Sequence, residues 1–256
     1  MLFFKRILKE PEKVPDPAPA AVPPVERRSM KRYVVNPQFP LKAVLSFVGR
    51  DDTGAPMSHS RHGWNWKGHL VDCSEQGARI QMGPVLKVAA RDLCDLMLTV
   101  EDFELTVPCH IANIRHLADG VLFGLKHDIE DEQTRSAYGQ LLEVLALGST
   151  LKLQGKTTKP DASGWLVEHY ASDRPSRLTI WRHPANAAVA AFAFQLKDNL
   201  VRATYGGRME FRTGPEARPA TAAKALEIQR LFNWVLPNLA TAVPEDVREF
   251  LKRYAA

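Results

Sequence analysis

Hydrophobic and polar residues alternate in short runs over much of the chain, which is typical of β-strands. Between Phe39 and Leu125 these runs are rich in β-branched residues and are separated by glycines and charged turns. The predicted strands cover residues 41–48, 64–71, 78–82, 93–100, 104–114 and 120–125. A polar loop is expected at residues 51–63. The pattern predicts a six-stranded antiparallel β-barrel.

A helix is predicted over residues 130–147, and a second series of strands follows it. These strands cover residues 151–153, 165–170, 178–181, 188–196, 200–205 and 209–211. Lys197–Asn199 marks one turn, and Gly206-Gly207 is typical of a two-residue hairpin. Apolar residues then recur at helical spacing over 222–239, and a last helix is expected over 244–254. The fold class is therefore mainly β with α: a barrel, a helix, and an α+β domain made of an antiparallel meander and two helices.

The first residues differ in composition from the rest. Prolines crowd residues 11–24, which predicts an extended linker. Residues 1–9 mix apolar and basic side chains, so we expect either a frayed terminus or a short amphipathic helix with weak membrane association. The predicted domains are an N-terminal segment and linker (1–25), the barrel (26–128), a connecting helix (129–148) and the α+β domain (149–256).

Composition and charge exclude few classes of function, whereas the pattern of hydrophobic and polar residues already indicates the fold. The formal net charge of +5 suits an anionic ligand, nucleic acid or an acidic membrane surface, and does not choose among them. No long apolar run or signal peptide is recognised, so a cytoplasmic location is expected. Cys73, Cys94 and Cys109 form no CxxC pair, and reduced, partly buried thiols are expected.

Two motifs carry the candidate chemistry. Arg27 and Arg28 begin an RRxxxR motif that ends at Arg32, and DxSxxG spans residues 72–77 between two predicted strands. Taken singly, the first is consistent with a solvated charge cluster and the second with an ordinary turn. Their combination resembles the signature of the PilZ domain family of cyclic diguanylate (c-di-GMP) receptors. The resemblance covers residues 26–128, including a glycine and aromatic strand at 119–124.

The resemblance implies a ligand-binding set for c-di-GMP, consisting of Arg28, Arg32, Asp72, Ser74 and Gly77, with Arg27 in addition. Arginine is suited to this ligand because its planar guanidinium binds phosphate or a guanine edge with two parallel hydrogen bonds. Asp72 is expected to accept from guanine, Ser74 to bind phosphate or base, and Gly77 to permit close approach of the ligand. Arg27 holds the position that the family associates with binding one ligand or a stacked pair.

The sequence thus predicts a bacterial, non-enzymatic second-messenger receptor that signals to an unidentified protein partner in motility, exopolysaccharide or biofilm control. No cofactor, metal or direct nucleic-acid partner is expected, because the histidine and cysteine spacings match no common zinc pattern and the aromatic residues are scattered along the chain. Three alternatives stay open: a basic barrel that binds single-stranded nucleic acid, a PilZ-like interaction module that no longer binds nucleotide, and an enzyme in the C-terminal half.

Overall fold

The computed structural model describes residues 31–47, 65–83 and 88–255. Three predicted features lie outside the described residues: the N-terminal segment, the proline-rich linker and the polar loop at 51–63. The predicted domain boundaries stay predictions.

The first sheet contains seven antiparallel strands, and six of them form a closed barrel. Its strands are β1 (Tyr33–Val34), β2 (Lys42–Phe47), β3 (Asn65–Ser74), β4 (Gly77–Met82), β5 (Leu93–Val100), β6 (Phe103–Leu117) and β7 (Gly120–His127). The spatial order is β1-β3-β2-β5-β6-β7-β4, and β4 also pairs with β3. That last pairing closes the ring from β2 to β7, which confirms the predicted barrel. β1 is an added strand on β3, and with two residues it is too short for an alternating pattern to reveal.

Alternation along these strands fills the barrel interior. Leu45, Leu96, Val107 and Phe123 each have 0% of their surface exposed. Helix α1 (Glu132–Ser149) begins after Asp131, whose side chain accepts a hydrogen bond from the backbone N–H of Thr134 and so caps the helix. Tyr138 and Leu142 of this helix belong to the core of the barrel.

The second sheet is a meander of seven antiparallel strands in chain order. The strands are β8 (Lys152–Lys156), β9 (Leu166–Ala171), β10 (Ser176–Arg182), β11 (Val189–Leu196), β12 (Asn199–Thr204), β13 (Glu210–Thr213) and β14 (Arg218–Pro219). Two helices follow, α2 (Ala222–Val235) and α3 (Glu245–Lys252), with the 3₁₀ turn Leu236–Asn238 between them. The meander and both helices confirm the prediction, although β14 was not predicted.

Two details of the predicted secondary structure were wrong. The turn between β12 and β13 is longer than a two-residue hairpin, because the strands separate after the pair Arg202–Glu210. Within it Gly206 has a φ of 72° and Gly207 does not have a positive φ. The helix predicted over 222–239 ends at Val235, where a 3₁₀ turn containing Pro237 begins.

Aromatic packing fills the space between the second sheet and its helices. The rings of Phe192 and Phe232 are stacked with centroids 5.8 Å apart, and Phe250 meets Phe192 edge-on at 6.2 Å. The last part of α1 joins this second core through Leu147. Helix α1 is therefore shared: most of its buried residues pack on the barrel and its end packs on the meander.

The three cysteine thiols are free, and they are fully buried in the barrel, whereas the sequence predicted partial burial. Burial raises the pKa of Cys73 and of Cys94 to about 12, and it raises the pKa of Cys109 as well. No helix in the described ranges is both long and apolar enough to cross a bilayer.

Candidate functional site

The aspartate of the DxSxxG motif lies where three strands meet. β1 pairs with the end of β3, so that Val34 stands opposite Asp72. On the other side β4 places Arg79 opposite Asp72, after an irregularity in the register between Leu70 and Asp72. These neighbours enclose Asp72, of which only 1% is exposed.

Two arginines neutralise this buried carboxylate. Arg32 donates from Nη1 to Oδ1 of Asp72 at 2.7 Å, and Arg79 donates from Nε to Oδ2 at 2.6 Å. Nη2 of Arg79 donates to the same oxygen. The hydrogen bond to Asp72 raises the pKa of Arg79. An uncompensated charge at this depth would be strongly destabilising, and the two guanidiniums supply the compensating charge.

The arginines remain accessible although the carboxylate is not. About a third of each guanidinium side chain is exposed, 28% for Arg32 and 35% for Arg79. Asp72 is almost entirely covered, so a guanine that hydrogen-bonds it has to displace at least one of the arginines. A phosphate, in contrast, can reach the exposed edges of both guanidiniums directly.

Ser74 and Gly77 bracket a two-residue turn that joins β3 to β4, as the motif predicted. Ser74 Oγ donates to the Gly77 carbonyl at 3.1 Å, and Ser74 is buried. The hydroxyl of Tyr138 in α1 donates to the Ser74 carbonyl at 3.2 Å. The backbone N–H of His127 donates to the Gln76 carbonyl at 3.0 Å. The turn is therefore held from beneath by α1 and β7.

The structure supplies a packing reason for the glycine of the motif. A Cβ at Gly77 would lie 2.3 Å from the carbonyl oxygen of Leu125 in β7, a distance that real Cβ atoms do not reach. Only glycine lets β4 come this close to β7. The role predicted for Gly77 in the close approach of a ligand stays a prediction.

The structure brings together four of the six predicted site residues: Arg32, Asp72, Ser74 and Gly77. Arg27 and Arg28 lie outside the described residues. Sequence reasoning missed Arg79, although a signal for it was present. Ala78 and Ile80 are inward-facing strand residues, so period-two alternation puts Arg79 on the outer face next to the motif.

A neutral layer supports the turn. The rings of His127 and Tyr138 meet edge-on with centroids 4.6 Å apart. Burial lowers the pKa of His127 to about 4, although a backbone contact with Glu75 acts in the opposite direction. Burial, followed by the neighbouring Cys73, raises the pKa of Tyr138 well above its usual value. Both rings are uncharged at neutral pH, so the site above them rests on a floor without charge.

The strand that begins after Arg32 also contacts the second sheet and its helices. Arg174, in the turn between β9 and β10, donates from Nη2 to the Tyr33 hydroxyl at 3.1 Å. The backbone N–H of Asn36 donates to Oδ1 of Asn238 at 2.8 Å. Tyr33 and Asn36 thus connect the segment that follows Arg32 to the second sheet and its helices.

In the ranges that the structure describes, no group of three or more histidine, cysteine or acidic side chains is arranged to hold a metal ion. The chemistry available at the site is that of two accessible guanidiniums beside a buried carboxylate, which suits recognition of an anion.

Comparison with known proteins identifies the family that the barrel resembles. The PilZ domain family matches residues 26–143, so this part of the chain is a PilZ domain, as the motifs predicted. The PilZ domain is a binding domain from a family of c-di-GMP receptors and is not catalytic.

Two solved structures are similar to the chain. The complex of MrkH with c-di-GMP from K. pneumonia has 13% sequence identity and a TM-score of 0.36, over 46% of this chain and 52% of that one. The chain thus spans about half the length of MrkH. The PilZ domain of YcgR from Escherichia coli, solved with c-di-GMP, has 10% identity and a TM-score of 0.36, over 47% of this chain and 92% of that one. No curated protein sequence matches the chain.

Proposed function

We propose that the chain is a non-enzymatic receptor that binds c-di-GMP at the Asp72 site and reports binding to a protein partner through its second domain. The observation that carries the proposal is the contact between Arg32 and Asp72. The two residues lie 40 positions apart, in the two halves of the motif pair, and are hydrogen-bonded at 2.7 Å. Arg27, Arg28, Ser74 and Gly77 complete the proposed binding set.

The pairing at Asp72 suggests how the ligand is exchanged for an internal contact. A phosphate or guanine that takes the Arg32 guanidinium removes one of two partners from the carboxylate. Arg79 keeps its own hydrogen bonds to Oδ2, so Asp72 is never left buried without a counter-charge. Arg79 is therefore assigned the role of a positioning residue, because it keeps Asp72 paired when Arg32 leaves the carboxylate for the ligand.

The path to the second domain begins one residue after Arg32. Movement of Arg32 toward a ligand displaces Tyr33, which accepts the hydrogen bond from Arg174. A ligand that favours one arrangement of this strand shifts the population of the contact, which is the requirement for transmission. The partner responds in motility, exopolysaccharide or biofilm control, and Arg27 sets whether one ligand or a stacked pair is bound.

The test is calorimetric titration of the full chain with c-di-GMP, with GTP as the ligand control. We expect saturable binding that is lost in Arg28→Ala, Arg32→Ala and kept in Arg115→Ala. Arg115 is an exposed barrel arginine that makes no ion pair within the described ranges, so its replacement controls for the loss of one positive charge from the barrel surface. A stoichiometry near two would support the role of Arg27.

A second variant separates binding from transmission. Arg174→Ala should bind c-di-GMP with little change, while the ligand-dependent change in the second domain, followed by hydrogen exchange of β9 and β10, should disappear. Failure of the folded wild-type chain to bind c-di-GMP would overturn the proposal and favour an interaction module. Binding of short RNA that depends on Arg28 and Arg32 would favour a nucleic-acid-binding barrel.

A further inference from the structure

The second sheet has one face covered by helices and one that the described elements leave open. Phe192, Phe194 and Leu196 of β11 point toward α2 and α3 and are buried. Their neighbours Ala191 and Ala193 point to the opposite face because side chains alternate along a strand. On that open face a groove of about 750 Å³ adjoins one of about 440 Å³, and Ala193 and Leu200 line both.

Small side chains make the floor of this groove and aromatic side chains make its walls. The sheet register places Ala191 between Trp181 and Thr204, and Ala193 between Thr179 and Arg202. Trp165 and Trp181 line the larger groove, and Tyr205 lies at its edge, where its ring stacks on Phe250 of α3. Two tryptophan rings from separate parts of the sequence thus border one trough on the sheet.

The groove is positively charged. Arg177 lines its smaller part and Arg208 its larger part, and neither has an acidic partner within the described part of the chain. Arg202 donates to Glu210, which is the single acidic side chain among the described residues that line the two grooves. The balance of charge favours an anionic occupant.

Charge also argues against two occupants supplied by the protein itself. Residues 1–9 carry Lys5, Arg6 and Lys9 and no acidic side chain, so the groove would repel them. A second copy that docked with the same face would bring Arg177 and Arg208 against their own equivalents. An acidic peptide would satisfy the charge but would leave the aromatic walls without a planar partner.

We propose that this open face binds single-stranded nucleic acid, with the phosphates near Arg177 and Arg208 and the bases stacked on Trp165 and Trp181. A sheet that is backed by helices and presents aromatic and basic side chains on its free face is suited to unpaired bases. The proposal is independent of c-di-GMP binding by the barrel. It departs from the sequence-based expectation of no direct nucleic-acid partner, which rested on the scatter of aromatics along the chain.

The test is fluorescence anisotropy of labelled 12-nucleotide oligo-uridine and oligo-thymidine with the full chain, at several salt concentrations. Arg177→Ala, Arg208→Ala should weaken binding at least tenfold and reduce the slope of log K against log salt by about 1.4, or about 0.7 for each lost phosphate contact. The control Arg218→Ala, Arg253→Ala removes the same charge from exposed positions outside the groove and should bind like the wild type. Arg28→Ala, Arg32→Ala should also bind normally, which separates this site from the barrel.

Two further measurements make the proposal easy to overturn. Trp181→Ala, checked for folding by circular dichroism, should weaken binding and diminish the quenching of tryptophan fluorescence by the oligonucleotide. Duplex RNA and polyglutamate should bind more weakly than single strands, because they offer charge without free bases. Equal binding of either competitor, equal loss in the control variant, or no binding by the folded wild type at low salt would each overturn the proposal.

Discussion

The two sheets of this protein have the same number of strands but bury their apolar faces differently. β4 pairs with both β7 and β3, so the first sheet closes and holds its core inside. The second sheet follows chain order and stays open, and it relies on α2 and α3 to cover one face. Closure restricts the candidate site of the barrel to a hairpin and one added strand. An open sheet instead presents a broad surface on its uncovered face.

Removal of a core ring from each domain gives the largest expected effect on this comparison. Phe123→Ala in the barrel and Phe192→Ala in the meander should each lower the free energy of unfolding by about 3–5 kcal/mol. Because α1 packs on both cores, we expect one shared transition by circular dichroism and tryptophan fluorescence in urea. Two separated transitions, of which Phe123→Ala moves one, would show that the domains unfold independently.

Acid should destabilise the barrel through His127. Its pKa is about 4 in the folded protein and about 6.5 when unfolded, so the unfolded state binds the extra proton first as the pH falls. The contribution of neutral His127 to the free energy of unfolding is complete above pH 6.5. It decreases by up to about 3 kcal/mol as the pH falls to about 4. Urea titrations at these pH values provide the measurement. His127→Phe should flatten the profile over this window, and an unchanged profile would assign the effect to other groups.

Glycine replacement contrasts the packed barrel with the sheet edge. Gly77→Ala brings a Cβ against the Leu125 carbonyl and should cost about 2 kcal/mol. Gly155→Ala in β8 meets no atom within 4 Å and should be neutral or stabilising by up to about 1 kcal/mol, because alanine suits a strand better than glycine. Thermal unfolding of the two variants checks this, and similar losses in both would contradict it.

The smallest effect is expected from the ion pairs of one arginine between α2 and the barrel. Arg230 of α2 lies 3.3 Å from Asp102 (Nη1 to Oδ1) and 3.4 Å from Glu101 (Nε to Oε2) in the turn between β5 and β6, and all three side chains are exposed. Arg230→Ala should cost less than about 1 kcal/mol because exposed pairs are weak and screened by salt. Lys252→Ala, which breaks a pair within α3, is the control. A loss above 2 kcal/mol would mean that charge, and not the packing of α1, joins the domains.

Most strands were predictable because alternation is a local property, whereas β1 and β14 are too short to show it. The motif resemblance pointed to Asp72 and Arg32. Alternation puts Arg79 on the outer face beside the motif, but its pairing with Asp72 depends on the register shift between β3 and β4, which no local pattern reveals. Tyr33 and Arg174 lie 141 positions apart and only the assembled fold joins them. Trp165 and Trp181 are likewise brought together by the assembled fold, through the pairing of β9 with β10.

The three cysteines are built-in probes of the opening of the barrel. Cys73, Cys94 and Cys109 all lie in the barrel, and the rest of the chain contains no cysteine. Thiol reagents attack the thiolate, and burial with a raised pKa suppresses that form while the barrel is closed. Alkylation therefore proceeds only through transient opening, and its rate reports the barrel alone. A nucleotide that stabilises the closed barrel would lower the rate of alkylation, and the measurement needs no label on the protein.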